Sequence, residues 1–177
     1  MAAENIKRFL QSFGDNVVRS SLGILNSKKG STELANSLSV TVSEDSKDVY
    51  SVKFYMADYG TFIDQGVSGN QNARSYIDYK QNKVVSDYKY TTKQPPPTIL
   101  EKWISKKGIK GRDPKTGRYI SNLSLAFIIG RSIKVKGIKG ISFFQQPFGV
   151  LYEEMQSQFL DEFEKDIDTY LTTFTKF

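Results

Sequence analysis

The stretch that decides the fold runs from residue 95 to residue 148 and reads PPPTILEKWISKKGIKGRDPKTGRYISNLSLAFIIGRSIKVKGIKGISFFQQPF. Pro96 and Pro97 suit the first positions of a helix, where a missing N–H costs nothing. The apolar segment that follows ends in Lys-Gly-Ile-Lys-Gly at 107–111, and a second apolar segment ends in the same pentapeptide at 136–140. The pattern predicts two helices, each closed by a glycine in the left-handed cap position.

The two predicted helices differ in their apolar pattern. The first is expected to bury one stripe, formed by Ile99, Leu100, Trp103 and Ile104. The second, over residues 123–136, is apolar nearly all round, which predicts a helix that is deeply buried or that faces another subunit. Its first residues also alternate like a strand, although the glycine that ends the segment favours a helix. Between the two, Asp113-Pro114 and Thr116-Gly117 predict an exposed turn or hairpin tip.

The flanking segments predict the rest of an α+β fold. Apolar residues at helical spacing predict an N-terminal helix over 3–28, continuous or divided near Gly14. Alternation predicts a strand hairpin over residues 38–55. A short helix over 58–65 is expected to face Tyr59, Phe62 and Ile63 inward, and a C-terminal helix over 150–173 to carry Glu153 and Glu154 in its first turn.

These elements predict a fold class and a domain organisation. The fold class is α+β, with long N-terminal and C-terminal helices packed on a small, mainly antiparallel β-sheet, and with a helical, basic insertion. The chain of 177 residues is expected to form a single domain over 1–177, with a long loop at 67–94 and the basic helical insertion at 95–140.

The composition excludes several kinds of chemistry. The chain contains no cysteine and no histidine, so disulfides, Cys/His zinc sites and Ser-His or Cys-His nucleophiles are excluded. The acidic residues of the predicted C-terminal helix lie on its solvated face. We therefore expect that the protein is not an enzyme and that it has no catalytic residue, no cofactor and no metal. The longest apolar run is far shorter than the roughly 18 residues of a membrane span, so we expect no membrane contact.

Charge is distributed unevenly along the chain. Residues 80–140 hold 15 Lys and Arg against 3 Asp and Glu, a net charge of +12, whereas residues 141–177 hold 2 against 7, a net charge of −5. The basic segment supplies the candidate subunit-facing or DNA-facing residues, which are Lys102, Lys106, Lys107, Lys110, Arg112, Lys115, Arg118, Arg131, Lys134, Lys136 and Lys139. Three functions of this segment stay open at this point: contact with a neighbouring subunit, binding of phosphates, or simple solvation.

The predicted loop at 67–94 leaves a similar choice. Lysines and tyrosines recur along it, a composition that suits a protein interface or a plain loop, and that also suits stacking on nucleic-acid bases.

Two motifs resemble a known family. Tyr55-Met56-Ala57-Asp58-Tyr59-Gly60-Thr61-Phe62-Ile63-Asp64-Gln65-Gly66 is similar to an aromatic-Ala-x-x-aromatic-x-(Asp/Glu)-x-Gly signature. Phe143-Phe144-Gln145-Gln146-Pro147-Phe148 is similar to a Pro-Phe motif before a C-terminal helix. Together they resemble the head–tail connector or tail-completion proteins of tailed bacteriophages, a family of minor tail components that form neck rings. Gln146 stands where the family usually has arginine.

The resemblance implies a structural role. It implies a virion protein of the neck or tail, made in the host cytoplasm, that forms a ring of six or twelve copies joining the head (portal) to the tail around the DNA channel. The implied partners are other copies of the chain, neighbouring portal, adaptor and tail proteins, and DNA contacted non-specifically in the channel. The alternative from the residues alone is a sequence-independent nucleic-acid-binding protein.

Overall fold

A computed structural model describes residues 4–28, 32–46 and 49–174 of the chain, and it confirms the predicted α+β class. The helices in this part of the chain are α1 (Glu4–Ser27), α2 (Thr32–Ser37), α3 (Gly60–Gln65), α4 (Pro97–Lys107), α5 (Asn122–Lys136) and α6 (Gln145–Phe174). The strands are β1 (Ser39–Ser46), β2 (Val49–Tyr55), β3 (Gly66–Ser68), β4 (Ser75–Ile77), β5 (Lys83–Val85) and β6 (Gly137–Lys139). None of the helices in these ranges is long and apolar enough to cross a membrane.

The chain forms two compact units. Unit 1 comprises the described residues within Met1–Asp64, Ile77–Lys83 and Ile141–Phe177. Unit 2 comprises Gln65–Tyr76 and Val84–Gly140, and therefore includes the whole predicted insertion and most of the predicted loop. The single domain expected over 1–177 stays a prediction.

The first helix of unit 1 is continuous, as one of the two sequence interpretations expected. Gly14 lies within α1 and does not divide it. A Cβ atom built on Gly14 would lie 2.7 Å from Val40 Cγ2, so the glycine allows β1 to approach the helix closely. The residue that suggested a kink instead serves helix–strand packing.

The predicted hairpin is confirmed as an antiparallel pair of β1 and β2, in which Val40 pairs with Phe54 and Val42 with Val52. Asp45 lies on β1 and accepts hydrogen bonds from Ser51 Oγ, from Ser43 Oγ at 2.8 Å and from Lys53 Nζ at 3.0 Å. The hydrogen bonds from Ser51, Ser43 and Lys53, in that order, lower the pKa of Asp45 to about 2.

The core of unit 1 joins elements that are distant in the sequence. Leu25, Leu34 and Phe143 are almost fully buried against one another. Beside them, Phe54 makes edge-to-face contacts with Phe144 and Phe148, with ring centroids 5.3 and 5.9 Å apart. Each such ring pair adds roughly 0.5–1.5 kcal/mol to the burial of apolar area.

The short helix and the last helix depart from the sequence predictions. In α3, Gly60 and Asp64 are buried, and Ile63 is half-buried against the core, as expected. Tyr59 and Phe62 are exposed, so the expected inward face was wrong for those two. The last helix begins at Gln145, and its first turn contains no acidic residue. The predicted role of Glu153 and Glu154 in that turn was therefore wrong.

Unit 2 is built around an antiparallel pair of α4 and α5. Asn122 Nδ2 at the start of α5 donates to Ser105 Oγ near the end of α4 at 3.0 Å. At the other end, a Cβ on Gly130 would lie 3.3 Å from Leu100. Only part of the predicted α4 stripe is buried. Ile99 and Trp103 are 63% and 43% exposed. The expectation that all four stripe residues are buried was therefore wrong.

Short strands form the rest of unit 2. Strand β3 pairs antiparallel with β6. Ser68 in β3 also donates from its backbone N–H to Tyr88 O at 2.7 Å and accepts from Tyr90 N–H at 2.8 Å. The segment predicted as a long loop at 67–94 therefore contains regular backbone pairing at several points.

Candidate functional site

The eleven basic residues singled out from the sequence all lie in unit 2, and we call them the basic surface. Three lie on α4 (Lys102, Lys106, Lys107), four on the connection to α5 (Lys110, Arg112, Lys115, Arg118), and four on α5 and β6 (Arg131, Lys134, Lys136, Lys139). All are exposed except Lys134, which is half-buried. Within the described residues, no acidic side chain forms an ion pair with any of them.

The first pentapeptide ends α4 in the way predicted. Gly108 adopts the left-handed conformation, with φ 65° and ψ 24°, and its N–H points to Ile104 O and Ser105 O. Lys106 and Lys107 occupy the last turn, where cations interact favourably with the helix dipole. The cap therefore ends α4 directly after two lysines of the basic surface.

The second pentapeptide also ends a helix, α5, but its glycine has a different backbone conformation. Gly137 is the C-cap residue of α5, and its backbone N–H donates to Ile133 O. Its φ is 73°, but its ψ of −176° is extended rather than left-handed, and β6 starts at this residue. A Cβ on Gly137 would lie 2.3 Å from Val67 O, so this glycine allows close strand pairing. The predicted capping role is therefore confirmed for this copy too, and only the predicted left-handed conformation was wrong. Its last lysine, Lys139, lies on a strand opposite Gly66.

Residues 110–120 form a tight hairpin that we call the basic arm. Asp113 Oδ1 accepts from the backbone N–H of Lys115 at 2.7 Å and of Thr116 at 3.1 Å. The N–H of Gly117, at φ 67°, donates to Asp113 O at 2.8 Å. The predicted exposed turn is confirmed, and the only carboxylate of the arm is engaged in shaping it.

Tyr119 contacts two cationic side chains at the base of the basic arm. Arg112 and Tyr119 form an isolated antiparallel bridge, and Arg112 Nη2 donates to Tyr119 Oη at 2.7 Å. The guanidinium carbon of Arg112 lies 4.5 Å from the Tyr119 ring centroid, and Lys110 Nζ lies 5.8 Å from it. Cation–π attraction of this kind holds positive charge over a ring face while leaving it accessible to solvent.

The electrostatics of the arm favour binding of anions. Lys115 and Arg118 lie near its tip and are exposed, and the turn places them within three residues of each other. A fixed hairpin loses less conformational entropy on binding than a flexible loop does. Chemically, the arm offers charge-assisted hydrogen bonds to carboxylates or phosphates.

Unit 1 contains a different feature, a buried carboxylate at the start of α6. Asp64 Oδ1 accepts from the backbone N–H of Phe144 at 2.8 Å, and the N–H groups of Phe143 and Gln145 also point to this carboxylate. Burial raises the pKa of Asp64, and the three backbone donors oppose that rise. The two motifs that carry the family resemblance therefore meet at one point.

Unit 1 also has an apolar groove of about 460 Å³ between α1, β2 and α6. Its walls are mainly aromatic and aliphatic, including Phe13, Phe54, Phe148 and Met155, and Tyr152 is the titratable residue among them. No group of three or more acidic side chains in the described ranges is arranged to hold a metal ion. The groove thus offers shape and apolar contact rather than acid–base chemistry.

In comparisons with known proteins, no family model, no curated protein and no solved structure matches this chain.

Sequence reasoning singled out the exposed basic residues, whose function stays a prediction, and missed the buried carboxylate. The basic surface was readable because lysine and arginine side chains almost always stay in water. Asp64 was treated only as part of a motif, because one aspartate in a short helix carries no sign of burial. The available signal was that Phe143 and Phe144, whose side chains cannot accept a capping hydrogen bond, directly precede Gln145.

Proposed function

We propose that this chain is a structural virion protein of a tailed bacteriophage. In this proposal, copies of the chain form a closed ring of six or twelve in the neck or tail, which joins the head to the tail around the DNA channel. Its partners are further copies of itself and the neighbouring portal, adaptor and tail proteins, and it has no catalytic role.

The observation that carries this proposal is the meeting of the two resembling motifs. Asp64 belongs to the first motif and Phe144 to the second, 80 residues later, and a hydrogen bond of 2.8 Å joins them. A chance likeness in two separate segments gives no reason for them to share a buried polar contact. A motif pair that forms one structural element is expected if both were kept for the same fold.

The distribution of exposed charge supports assembly from identical copies. The basic surface of unit 2 has no acidic partner among the described residues of its own chain. Exposed acids, among them Glu153, Asp161, Glu164 and Asp168, lie along α6 of unit 1. A ring needs two different patches on each copy, and patches of opposite charge meet this need.

Native mass spectrometry of the purified chain, with and without a short DNA duplex, tests the proposal. We expect a species of six or twelve chains in the absence of DNA. A chain that stays monomeric at every concentration and binds DNA in a salt-dependent way would overturn the ring and favour the second candidate function.

The second candidate function is sequence-independent binding of nucleic acid, favoured by the basic arm. Lys115 and Arg118 are exposed at the tip of a hairpin fixed by Asp113. Phosphate contacts from such residues bind any sequence and weaken as salt concentration rises.

A further inference from the structure

Two helices leave apolar stripes exposed in the described part of the chain. On α5 the stripe consists of Leu123, Phe127 and Ile128, and we call it the α5 stripe. On α6 it consists of Leu160, Phe163 and Ile167, and we call it the α6 stripe. The most exposed member of each is Ile128 at 58% and Leu160 at 69%. Stripes of this kind on helices that already have a packed face mark interaction sites.

The α5 stripe faces away from the partner helix of its own unit. Ala126 and Gly130 are buried, and Gly130 lies against Leu100 of α4. Leu123 and Phe127 are one turn apart on another face, and Arg131 follows Phe127 by one further turn. The α5 stripe is therefore an apolar ridge with a cation at one end.

The α6 stripe has the opposite charge beside it. Leu160, Phe163 and Ile167 follow one another at helical spacing, and Phe163 stacks on Phe159 with ring centroids 6.4 Å apart. Asp161, Glu164 and Asp168 are exposed between and after them. This part of α6 is therefore an amphipathic acidic helix whose apolar ridge faces solvent.

We propose that the α6 stripe of one copy packs against the α5 stripe of the next copy, head to tail. At 1.5 Å per residue, the α6 stripe from Leu160 to Ile167 spans about 10 Å and the α5 stripe from Leu123 to Ile128 about 8 Å, so the two ridges are similar in length. The acids of α6 then lie against a surface with net positive charge, which fixes the partner and steers its approach. This inference names the contact within the ring proposed above and rests on that function.

The size of the stripes explains why closure of the ring is needed. A stable interface usually buries about 800 Å² on each partner, and three half-exposed side chains cover less than that. In a closed ring each copy makes the contact twice, once through each stripe. The last contact then forms within one assembly and gains from effective concentration.

Complementation between two interface variants tests this contact. Phe127→Asp blocks the α5 stripe, and Arg131→Glu, which changes only an exposed charge, is the second variant on that side. Ile167→Asp blocks the α6 stripe. The matched controls are Ile99→Asp on α4 and Val150→Asp on α6, which place an acid at exposed apolar positions outside both stripes. Circular dichroism confirms that each variant is folded before its mass is measured.

We expect the wild type and both controls to form the closed oligomer, and each stripe variant alone to be monomeric. An equimolar mixture of Phe127→Asp and Ile167→Asp has one intact stripe on each chain and can make one contact per pair without ring closure, so we expect a one-to-one dimer only at concentrations above those at which the wild type assembles. For Arg131→Glu we expect at least a tenfold rise in the concentration needed for assembly.

Two outcomes would overturn the inference in distinguishable ways. Stripe variants that assemble like the wild type would leave the ring standing and place its contacts elsewhere. A wild type that never exceeds a monomer would remove both this contact and the proposed ring.

Discussion

The carboxylate of Asp64 in α3 accepts a hydrogen bond from the backbone N–H of Phe144, at the start of α6, across 80 residues of sequence. The first N–H groups of a helix have no partner within the helix, and a negative charge there also interacts favourably with the helix dipole. In this chain the first turn of α6 has no acid of its own. A residue from another element therefore supplies the acceptor.

Asp64→Asn should destabilise unit 1. The asparagine side chain keeps one acceptor oxygen but turns an NH₂ donor toward backbone N–H groups, so a buried donor loses its partner. We expect the free energy of unfolding to fall by about 1–3 kcal/mol. Urea unfolding followed by circular dichroism measures the change. Asp58→Asn, at an exposed position two residues before α3, is the control and should stay within about 0.5 kcal/mol of the wild type. Equal effects of the two substitutions would contradict the capping role.

The pKa of Asp64 predicts the sign of a pH dependence. Burial raises this pKa above its ordinary value of 3.8, so the folded state holds the proton more tightly than the unfolded chain. The stabilising contribution is complete below pH 3.8 and is lost as pH rises through the folded-state pKa. The contribution of Asp64 to the free energy of unfolding should therefore fall as pH rises from the acid range towards neutrality. Carboxyl NMR should show the Asp64 midpoint above 3.8, and a midpoint below it would refute the prediction.

Gly149→Ala should destabilise the packing of α6. A Cβ at this position would lie 1.9 Å from Tyr79 O, a backbone atom that has no flexible end to move aside. We expect a loss of about 1–3 kcal/mol, as for other overpacked sites. Gly23→Ala is the matched control, because nothing lies within 4 Å of its Cβ and the residue is inside α1. That substitution should stabilise the helix by about 0.5–1 kcal/mol. A similar response of the two glycines would argue against this packing.

In the β1–β2 hairpin, the carboxyl group of Asp45 should titrate at a lower pH than an ordinary aspartate. Ser51, Ser43 and Lys53 hold the pKa of Asp45 at about 2, so its favourable contribution is present above pH 3.8 and is lost as pH falls through about 2. NMR titration of the Asp45 carboxyl should give a midpoint near 2, and Ser51→Ala should raise it towards 3.8. Ser46→Ala, on the same strand, should leave the midpoint unchanged. An Asp45 midpoint near 3.8 in the wild type would contradict these hydrogen bonds.

If the basic arm contacts phosphates, its removal should change the salt dependence of DNA binding. Each lost phosphate contact lowers the slope of log affinity against log salt by about 1, so Lys115→Ala with Arg118→Ala should lower it by about 2. Fluorescence anisotropy with a labelled duplex at several salt concentrations measures the slope. Lys7→Ala with Arg19→Ala, two exposed cations of α1, is the control of equal charge. An arm variant whose slope equals that of the control would exclude phosphate contacts by the arm.

Local patterns predicted most of the elements. The apolar spacing from Ile6 to Leu25 predicted α1, and the alternation around Val40 and Val52 predicted the β1–β2 hairpin. Gly108 was predicted as a left-handed cap because only a few residues adopt that conformation at low cost. The basic surface was predicted residue by residue, since long charged side chains remain solvated in almost any fold.

Other features depended on which elements met. The same pentapeptide ends α4 in a left-handed cap at Gly108, whereas Gly137 ends α5 in an extended conformation and starts β6, because β3 lies there to pair with it. Trp103 was expected to be buried and is exposed, since α5 packs on the α4 face that carries Leu100 and Ile104.

The sequence by itself determined the fold class, the excluded chemistry and the location of the charges, because helix and strand periodicity, missing residue types and solvation are local properties. Only the tertiary structure decided that Asp64 is buried at the start of α6 and that the α5 and α6 stripes remain exposed. Burial is a property of pairs of surfaces, and a single segment carries no information about which other segment will cover it.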